Sequence, residues 1–199
     1  MLNLAVFGSG RGSNFQAILT ALHQGKIPKV AIRLVISNSS SAGILEIART
    51  HCIPAVHLSQ KQFSSDDTYG DALFSLLEEH GVNFIVLAGY MKRVPARLVG
   101  AFRGSIVNIH PALLPKFGGA GMYGMRVHEA VLEAGEQESG ATVHYVDEEY
   151  DHGEIIMQQR VPVMAGDTPG TLAARVLAAE HELYPEALRR LAAQGQEKQ

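Results

Sequence analysis

A chain of 199 residues, 46% hydrophobic and 19% charged, has the balance of a soluble globular protein, which excludes a disordered one and leaves room for one compact domain and a small appendage. A formal net charge of −3 gives no bulk attraction to nucleic acid, and no apolar run reaches the length of a membrane-spanning helix. The single cysteine, Cys52, excludes an intrachain disulfide framework or a cysteine metal cluster; it is expected to pack as a small apolar residue in a reduced, cytoplasmic protein.

Leu2 to Phe7 is a short apolar run, expected to be a first strand and not the apolar region of a signal peptide. Gly8-Ser9-Gly10-Arg11-Gly12-Ser13-Asn14 follows, then apolar residues at helical spacing from Phe15 to Leu22. In a strand, glycine-rich turn and helix, backbone N–H groups can close around a phosphate at the helix N-terminus, with Ser13 or Asn14 as the expected N-cap. The turn is not a dinucleotide fingerprint, because Ser13 stands where the third glycine belongs, and not a P-loop, because no Gly-Lys-Ser/Thr follows. Glycines alone suit equally a tight turn that packs a helix on a strand.

Val30 to Ile36 reads as a second strand, Gly43 to His51 as a helix, and Pro54 to Leu58 as a short third strand. Asp66 to Glu79 is an amphipathic helix ended by Gly81. Asn83 to Gly89 is nearly continuously apolar, the pattern of a strand buried on both faces. Met91, Lys92, Arg93 and Val94 then lie in a loop at its carboxyl end. Strands alternating with helices predict an α/β fold, doubly wound around a mostly parallel central sheet with helices on both faces.

Ser105 to Gly118 is the stretch around which the chemistry gathers. Ile106, Val107 and Ile109 make a buried strand, interrupted by Asn108 and His110. Two residues apart, both polar side chains point to one side of the sheet. Pro111 and Pro115 stop the strand, so an amide and an imidazole stand at the carboxyl end of a central strand, where open α/β sheets bind ligands. An amide donor and a group that carries a proton near neutral pH could together stabilise an oxyanion and move a proton.

Beyond it, Gly118, Gly119, Gly121 and Gly124 predict a tightly turning or mobile loop. Arg126 to Ala134 reads as a helix, and Ala141 to Val146 and Ile155 to Val163 as two strands. The acidic segment Asp147-Glu148-Glu149-Tyr150-Asp151-His152-Gly153-Glu154 between them would on composition be a solvated hairpin loop. Thr168 to Thr171 opens a last long helix through about Leu191, with Glu180 in its middle, and a polar tail closes the chain.

Asn108-Ile109-His110-Pro111-Ala112-Leu113-Leu114-Pro115 resembles the signature of the folate-dependent formyltransferases. His144-Tyr145-Val146 followed by Asp151-His152-Gly153-Glu154-Ile155 resembles the same family's second motif, an aspartate before a glycine and an apolar strand. The turn from Gly8 to Asn14 is similar to that of the branch acting on glycinamide ribonucleotide. The three motifs in this order extend over nearly the whole chain, from Leu4 to about Pro185.

The resemblance implies the formyltransferase fold with an antiparallel C-terminal part, in one domain over 1–199. Residues 1–104 would form the phosphate-binding half and 105–192 the catalytic and folate-binding half, with a tail at 193–199. It implies transfer of a formyl group from the co-substrate 10-formyltetrahydrofolate to the amine of glycinamide ribonucleotide in purine synthesis. Asn108, His110 and Asp151 would be catalytic, with Asp151 holding His110 charged. Gly12, Ser13, Asn14 and Glu180 would bind the ribonucleotide. Met91 to Val94, Asn108, and Asp147, Glu148, Glu149, Tyr150 and Asp151 would face the folate. No metal, nucleic acid or membrane is implied, and the assembly would be a monomer or homodimer. Other formyl-handling relatives are expected to add a domain, C-terminal for a tRNA formyltransferase and N-terminal for a folate hydrolase. Two features depart from the family pattern. Ser64, Ser65, Asp66 and Asp67 stand where a basic residue often meets the folate's glutamate tail, and the glycines of 118–124 replace the commoner Pro-Gly.

Overall fold

The computed structural model describes residues 1–194. Seven strands form one sheet: β1 (Leu2–Phe7), β2 (Val30–Ser37), β3 (Ala55–His57), β4 (Phe84–Leu87), β5 (Ile106–His110), β6 (Glu138–Tyr145) and β7 (Ile155–Pro162), in the order β3-β2-β1-β4-β5-β6-β7. β1 to β5 are parallel, whereas β6 pairs antiparallel with both β5 and β7. Around the sheet stand α1 (Ser13–His23), α2 (Gly43–Thr50), α3 (Asp66–Glu79), α4 (Ala96–Ala101), α5 (Met125–Glu133) and α6 (Pro169–Gln194). No described helix is long and apolar enough to cross a membrane.

The near-continuous apolar strands follow from covering on both faces. Leu4 and Val6 of β1 pack with Phe15 and Ile18 of α1, Ile44 of α2 and Leu183 of α6, while the alternating Ala5 and Phe7 pack with Tyr69 and Leu73 of α3 and Leu98 of α4. The period-two alternation of strand side chains thus sends every second residue to each helical layer. In β5, Val107 and Ile109 face the α1/α6 layer and Ile106 the α3/α4 layer. By the same alternation, Asn108 and His110 share the side of Ile106.

Three expectations are corrected. The N-cap of α1 is Gly12, at φ 85°, not Ser13 or Asn14. Gly12 approaches α2 so closely that a Cβ there would stand 2.9 Å from the Cα of Ile44, so the position is glycine for packing as much as for any ligand. Cys52 is exposed instead of packed, at φ 55° in the turn after α2. The last helix runs to Gln194, past Leu191, because Leu188, Leu191 and Ala192 continue its buried face. The remainder of the expected tail, from 195 on, lies outside the described residues. Helix α4 and a 3₁₀ turn at Gln60–Gln62 appear where none was expected.

Candidate active site

β5 delivers Asn108 and His110 to its carboxyl end, and the β6–β7 hairpin folds back to deliver Asp151. The Asp151 Oδ2 atom lies 3.4 Å from His110 Nδ1, and its Oδ1 lies 3.5 Å from Asn108 Nδ2, so one carboxylate faces both residues. Its side chain is 10% exposed and that of His110 is 4% exposed, so within the acidic hairpin Asp151 alone is turned inward while Glu148, Glu149 and Tyr150 stay exposed.

Two backbone groups of the loop after β5 complete the arrangement. His110 Nε2–H donates to the carbonyl of Phe117 at 2.8 Å, and the N–H of Gly119 donates to Asp151 Oδ2 at 3.0 Å. Phe117 and Asp151 both lie at φ 56°, in the left-handed region that non-glycine residues rarely adopt. Such strain costs roughly 1–3 kcal/mol per residue and collects where function holds it in place. Gly118 lies between them: a Cβ there would come 3.2 Å from the Cβ of Asp151 and closer still to Leu114. The glycine pair that departs from the family pattern is therefore the cradle of the carboxylate.

Both nitrogens of His110 face acceptors, a geometry that suits the doubly protonated ring. Burial opposes the charge and prevails over the upward pull of Asp151 and the Phe117 carbonyl, leaving the pKa below the ordinary 6.5. The expectation that Asp151 keeps His110 charged is thus corrected: Asp151 pulls that way, but desolvation is the larger effect. Burial also pushes Asp151 up, and His144, His110 and the Gly119 N–H together more than offset it, so its carboxyl lies below 3.8 and is ionised at neutral pH.

His144 belongs to the same cluster and escaped the sequence reading as a site residue. It sits directly opposite Asn108 in the β5–β6 ladder, is buried, and stands 3.5 Å from Asp151 Oδ1. Its Nδ1–H donates to the Tyr145 carbonyl at 2.8 Å, and its Nε2 stands 3.2 Å from Asn108 Nδ2, beside the Asp151 carboxylate. Asn108 Nδ2 thus lies between His144 and Asp151. The signal was present in the sequence, since His144 interrupts an apolar strand just as Asn108 and His110 do.

A cleft opens beside this cluster. It is lined by Lys92, Arg93, Val94, Asn108, Asp147, Glu148, Glu149, Tyr150 and Asp151, all expected there, together with Leu87, Tyr90, Val99 and His144. Met91 is not on its wall; its side chain is exposed, and its N–H donates to Ser9 Oγ at 2.8 Å. Tyr90, Lys92, Arg93, Val94 and Ala96 continue into a second cleft, where Lys61 and Arg97 join Asp66 and Asp67. Basic side chains absent from 63–69 thus stand nearby, on the 3₁₀ turn and on α4, neither of which the sequence had revealed. Among the described residues no group of His, Cys, Asp and Glu could hold a metal ion.

At the carboxyl end of β1, on the same edge of the parallel sheet as the end of β5, the turn leads into α1 with Gly12 as N-cap and Ser13 as the first helical residue. Glu180 approaches it from α6, bonded by Asn14.

A model of the Formyl transferase family matches residues 2–188. The chain belongs to the formyl transferase family. It is 48% identical over 92% of its length to the chloroplastic phosphoribosylglycinamide formyltransferase of Arabidopsis thaliana, and 39% identical over 92% to the phosphoribosylglycinamide formyltransferase of Escherichia coli. It spans 63% of the Arabidopsis protein and 84% of the Escherichia coli one. Among solved structures it superposes on glycinamide ribonucleotide transformylase 1 of Symbiobacterium toebii with a TM-score of 0.91 at 40% identity, covering 98% of this chain and 89% of that one. The phosphoribosylglycinamide formyltransferase of Bacillus halodurans gives 0.89 at 38% identity, covering 97% and 96%. This member of the family therefore shares its sheet, with the antiparallel C-terminal strands, with structures bearing those names.

Proposed function

We propose that this chain transfers the formyl group of 10-formyltetrahydrofolate to the amine of glycinamide ribonucleotide, a step of purine synthesis. The observation that carries the reading is the meeting of Asn108, His110 and Asp151 beside a cleft that Asn108 and Asp151 line and whose other walls are the two loops expected to face folate. The names of the relatives and solved structures it matches support it.

The chemistry follows from the groups. The amine attacks the formyl carbon, a C–N bond forms, and negative charge gathers on the formyl oxygen. Asn108 turns its NH₂ from the long 3.5 Å contact with Asp151 to that oxygen when substrate arrives; one such donor contributes about 2.7–4 kcal/mol to the transition state. The bond to the folate nitrogen then breaks, and that nitrogen needs the proton the attacking amine has lost. His110 relays it, and Asp151 stabilises the imidazolium that forms in passing. A ring that is neutral at rest and gains its proton during the reaction fits a pKa held below 6.5 by burial. Both ring nitrogens are engaged in this structure, so the loop from Phe117 to Gly124 releases the Phe117 carbonyl when substrate arrives, acting as a lid.

Backbone N–H groups of Gly12, Ser13 and Asn14 take the phosphate and Glu180 the sugar. The folate tail runs into the second cleft, past Lys92, Arg93, Lys61 and Arg97. The enzyme works as a monomer or homodimer without nucleic acid, and its one exposed, unpaired thiol suits a reducing cytoplasm. The test is to incubate the protein with both substrates and follow folate absorbance. Stoichiometric formation of tetrahydrofolate and formylated ribonucleotide is expected; saturable binding without turnover would leave only a folate-binding module.

A further inference from the structure

Ser9 stands in the turn after β1, ahead of the N-cap Gly12, and its hydroxyl has no part in the chemistry described so far. It accepts a hydrogen bond from the Met91 N–H at 2.8 Å and donates one to Asn38 Oδ1 at 2.5 Å. Its own N–H donates to the Gly89 carbonyl at 3.0 Å. β2, β1 and β4 are neighbours in the parallel part of the sheet, so one serine joins the loops at their carboxyl ends. The directions of the bonds matter. A hydroxyl has one proton; Asn38 takes it, which leaves the oxygen lone pairs to face Met91. Gly8 admits this approach, because a Cβ there would stand 2.6 Å from Ile44 Cδ1 and 3.1 Å from the Ala88 carbonyl oxygen. The loop held by Ser9 forms neither helix nor strand from 88 to 95, and Gly89 turns it at φ 74°. A second bond fixes it from the other side, where Arg93 Nη2 donates to the Glu148 carbonyl of the acidic hairpin at 2.8 Å. Lys92, Arg93 and Val94 of this loop line the first cleft.

We propose that Ser9 is a positioning residue for the folate. Acting through Met91, it fixes the Lys92–Val94 wall of the first cleft against the turn before α1, and Asn38 orients its hydroxyl for that bond. The proposal rests on the reading of that cleft as the folate site. It gives the glycine-rich turn a second role beside its backbone cradle for phosphate. Because Ser9 and Gly12 share one short turn, the wall for one substrate is anchored on the same segment that receives the other, and this sets the spacing between them. With alanine at position 9 the Met91 N–H turns to water, and the loop keeps the Arg93 bond but loses its tie to β1 through the side chain.

The experiment compares the unaltered protein with Ser9→Ala, Asn38→Ala, Asn38→Asp and the double variant Ser9→Ala/Asn38→Ala. Equilibrium dialysis gives the affinity for monoglutamate tetrahydrofolate, steady-state kinetics the KM for the ribonucleotide, and NMR the exchange rate of the Met91 amide. Ser9→Ala is expected to weaken tetrahydrofolate binding about three- to tenfold, the range for one neutral hydrogen bond, and to speed Met91 exchange, with ribonucleotide KM unchanged. Asn38→Asp keeps an acceptor for the hydroxyl and should lose less affinity than Asn38→Ala. The double variant should be no worse than Ser9→Ala, since both residues act through one bond. Unchanged tetrahydrofolate affinity in a folded Ser9→Ala overturns the proposal. Equal losses for both substrates overturn it too, because they mark a general loosening of the fold. Multiplying losses in the double variant do the same, by making Asn38 a contact of the folate itself. Should Ser9→Ala fail to fold, the two Asn38 variants carry the comparison, and an Asn38→Ala that binds tetrahydrofolate like the unaltered protein overturns the proposal. Tetrahydrofolate that does not bind the unaltered protein would instead refute the reading of the cleft, and the proposal with it.

Discussion

Gly153 offers the sharpest perturbation of the site that leaves every chemical group in place. Its backbone does not lie in the left-handed region, so conformational freedom is not what it supplies. A Cβ at Gly153 would stand 1.9 Å from the Tyr145 carbonyl oxygen and 2.8 Å from its carbon, and these are backbone atoms of β6 that cannot swing aside. Tyr145 is further held by its N–H bond to the Glu154 carbonyl at 2.9 Å. Gly153→Ala therefore forces the hairpin away from the sheet by more than about 1 Å to restore an ordinary contact. Asp151 is two residues upstream, and its links to Gly119, His110, Asn108 and His144 lie between 3.0 and 3.5 Å, with no slack to absorb such a shift. A misplacement of that size costs on the order of 10²-fold in turnover, and overpacking costs about 1–3 kcal/mol of stability. Steady-state kcat, KM for the ribonucleotide and thermal unfolding would be measured together. The expected result is a folded protein with kcat strongly reduced and ribonucleotide KM nearly unchanged, since the clash falls on Tyr145 of β6 and not on the turn before α1. A wild-type kcat in Gly153→Ala would show that the hairpin does not fix Asp151 for catalysis.

Three further outcomes are expected. Ser13→Asp places an anion at the start of α1, where it should stabilise the helix by about 0.3–1 kcal/mol while raising KM for the ribonucleotide, because it competes with the phosphate; an unchanged KM beside higher thermal stability would remove the phosphate from that turn. Longer polyglutamate tails should gain affinity in a salt-sensitive way, and Lys61→Gln or Arg97→Gln should reduce the gain; equal affinity for mono- and polyglutamate folates in low salt would show that the second cleft is not the tail's path. Burial holds His110, His128 and His181 below the ordinary 6.5 in the folded chain, so between those values and 6.5 the unfolded chain binds more protons and stability falls as pH is lowered. Urea midpoints across that window should show the slope, and His128→Gln should flatten it; a midpoint constant down through that window would mean these histidines titrate alike in both states.

Much of the fold was legible because local pattern and tertiary role agree. The bounds of α3 and the run of β1 follow directly from apolar spacing, and the unbroken apolar β4 announced burial on both faces. Asn108 and His110 were visible because polar residues two apart interrupt a buried strand. Asp151 was visible only through the motif, since an acidic hairpin ordinarily faces water and nothing local shows that one of its side chains turns inward. What could not be read was set by distant contacts. The partnership of His144 with Asn108 depends on the β5–β6 register, and that of Asn14 with Glu180 on the docking of α6 against α1. Helix α4 is six residues long, too short for helical periodicity to be recognised. The protonation of His110 turned on how deeply it is buried, which a neighbouring carboxylate in the sequence does not disclose.

The central claim is that Asn108, His110 and Asp151 act as one device for formyl transfer, and a single-turnover reaction tests it most directly. Enzyme, 10-formyltetrahydrofolate and glycinamide ribonucleotide would be mixed and the formylated product followed in time for the wild type, Asp151→Asn, His110→Ala and the double variant. The wild type is expected to form product in stoichiometric amount. Asp151→Asn should bind both substrates yet transfer the formyl group far more slowly, and the double variant should be little worse than the slower single one. A wild type that leaves the ribonucleotide unformylated, or an Asp151→Asn variant that transfers at the wild-type rate, would contradict the claim.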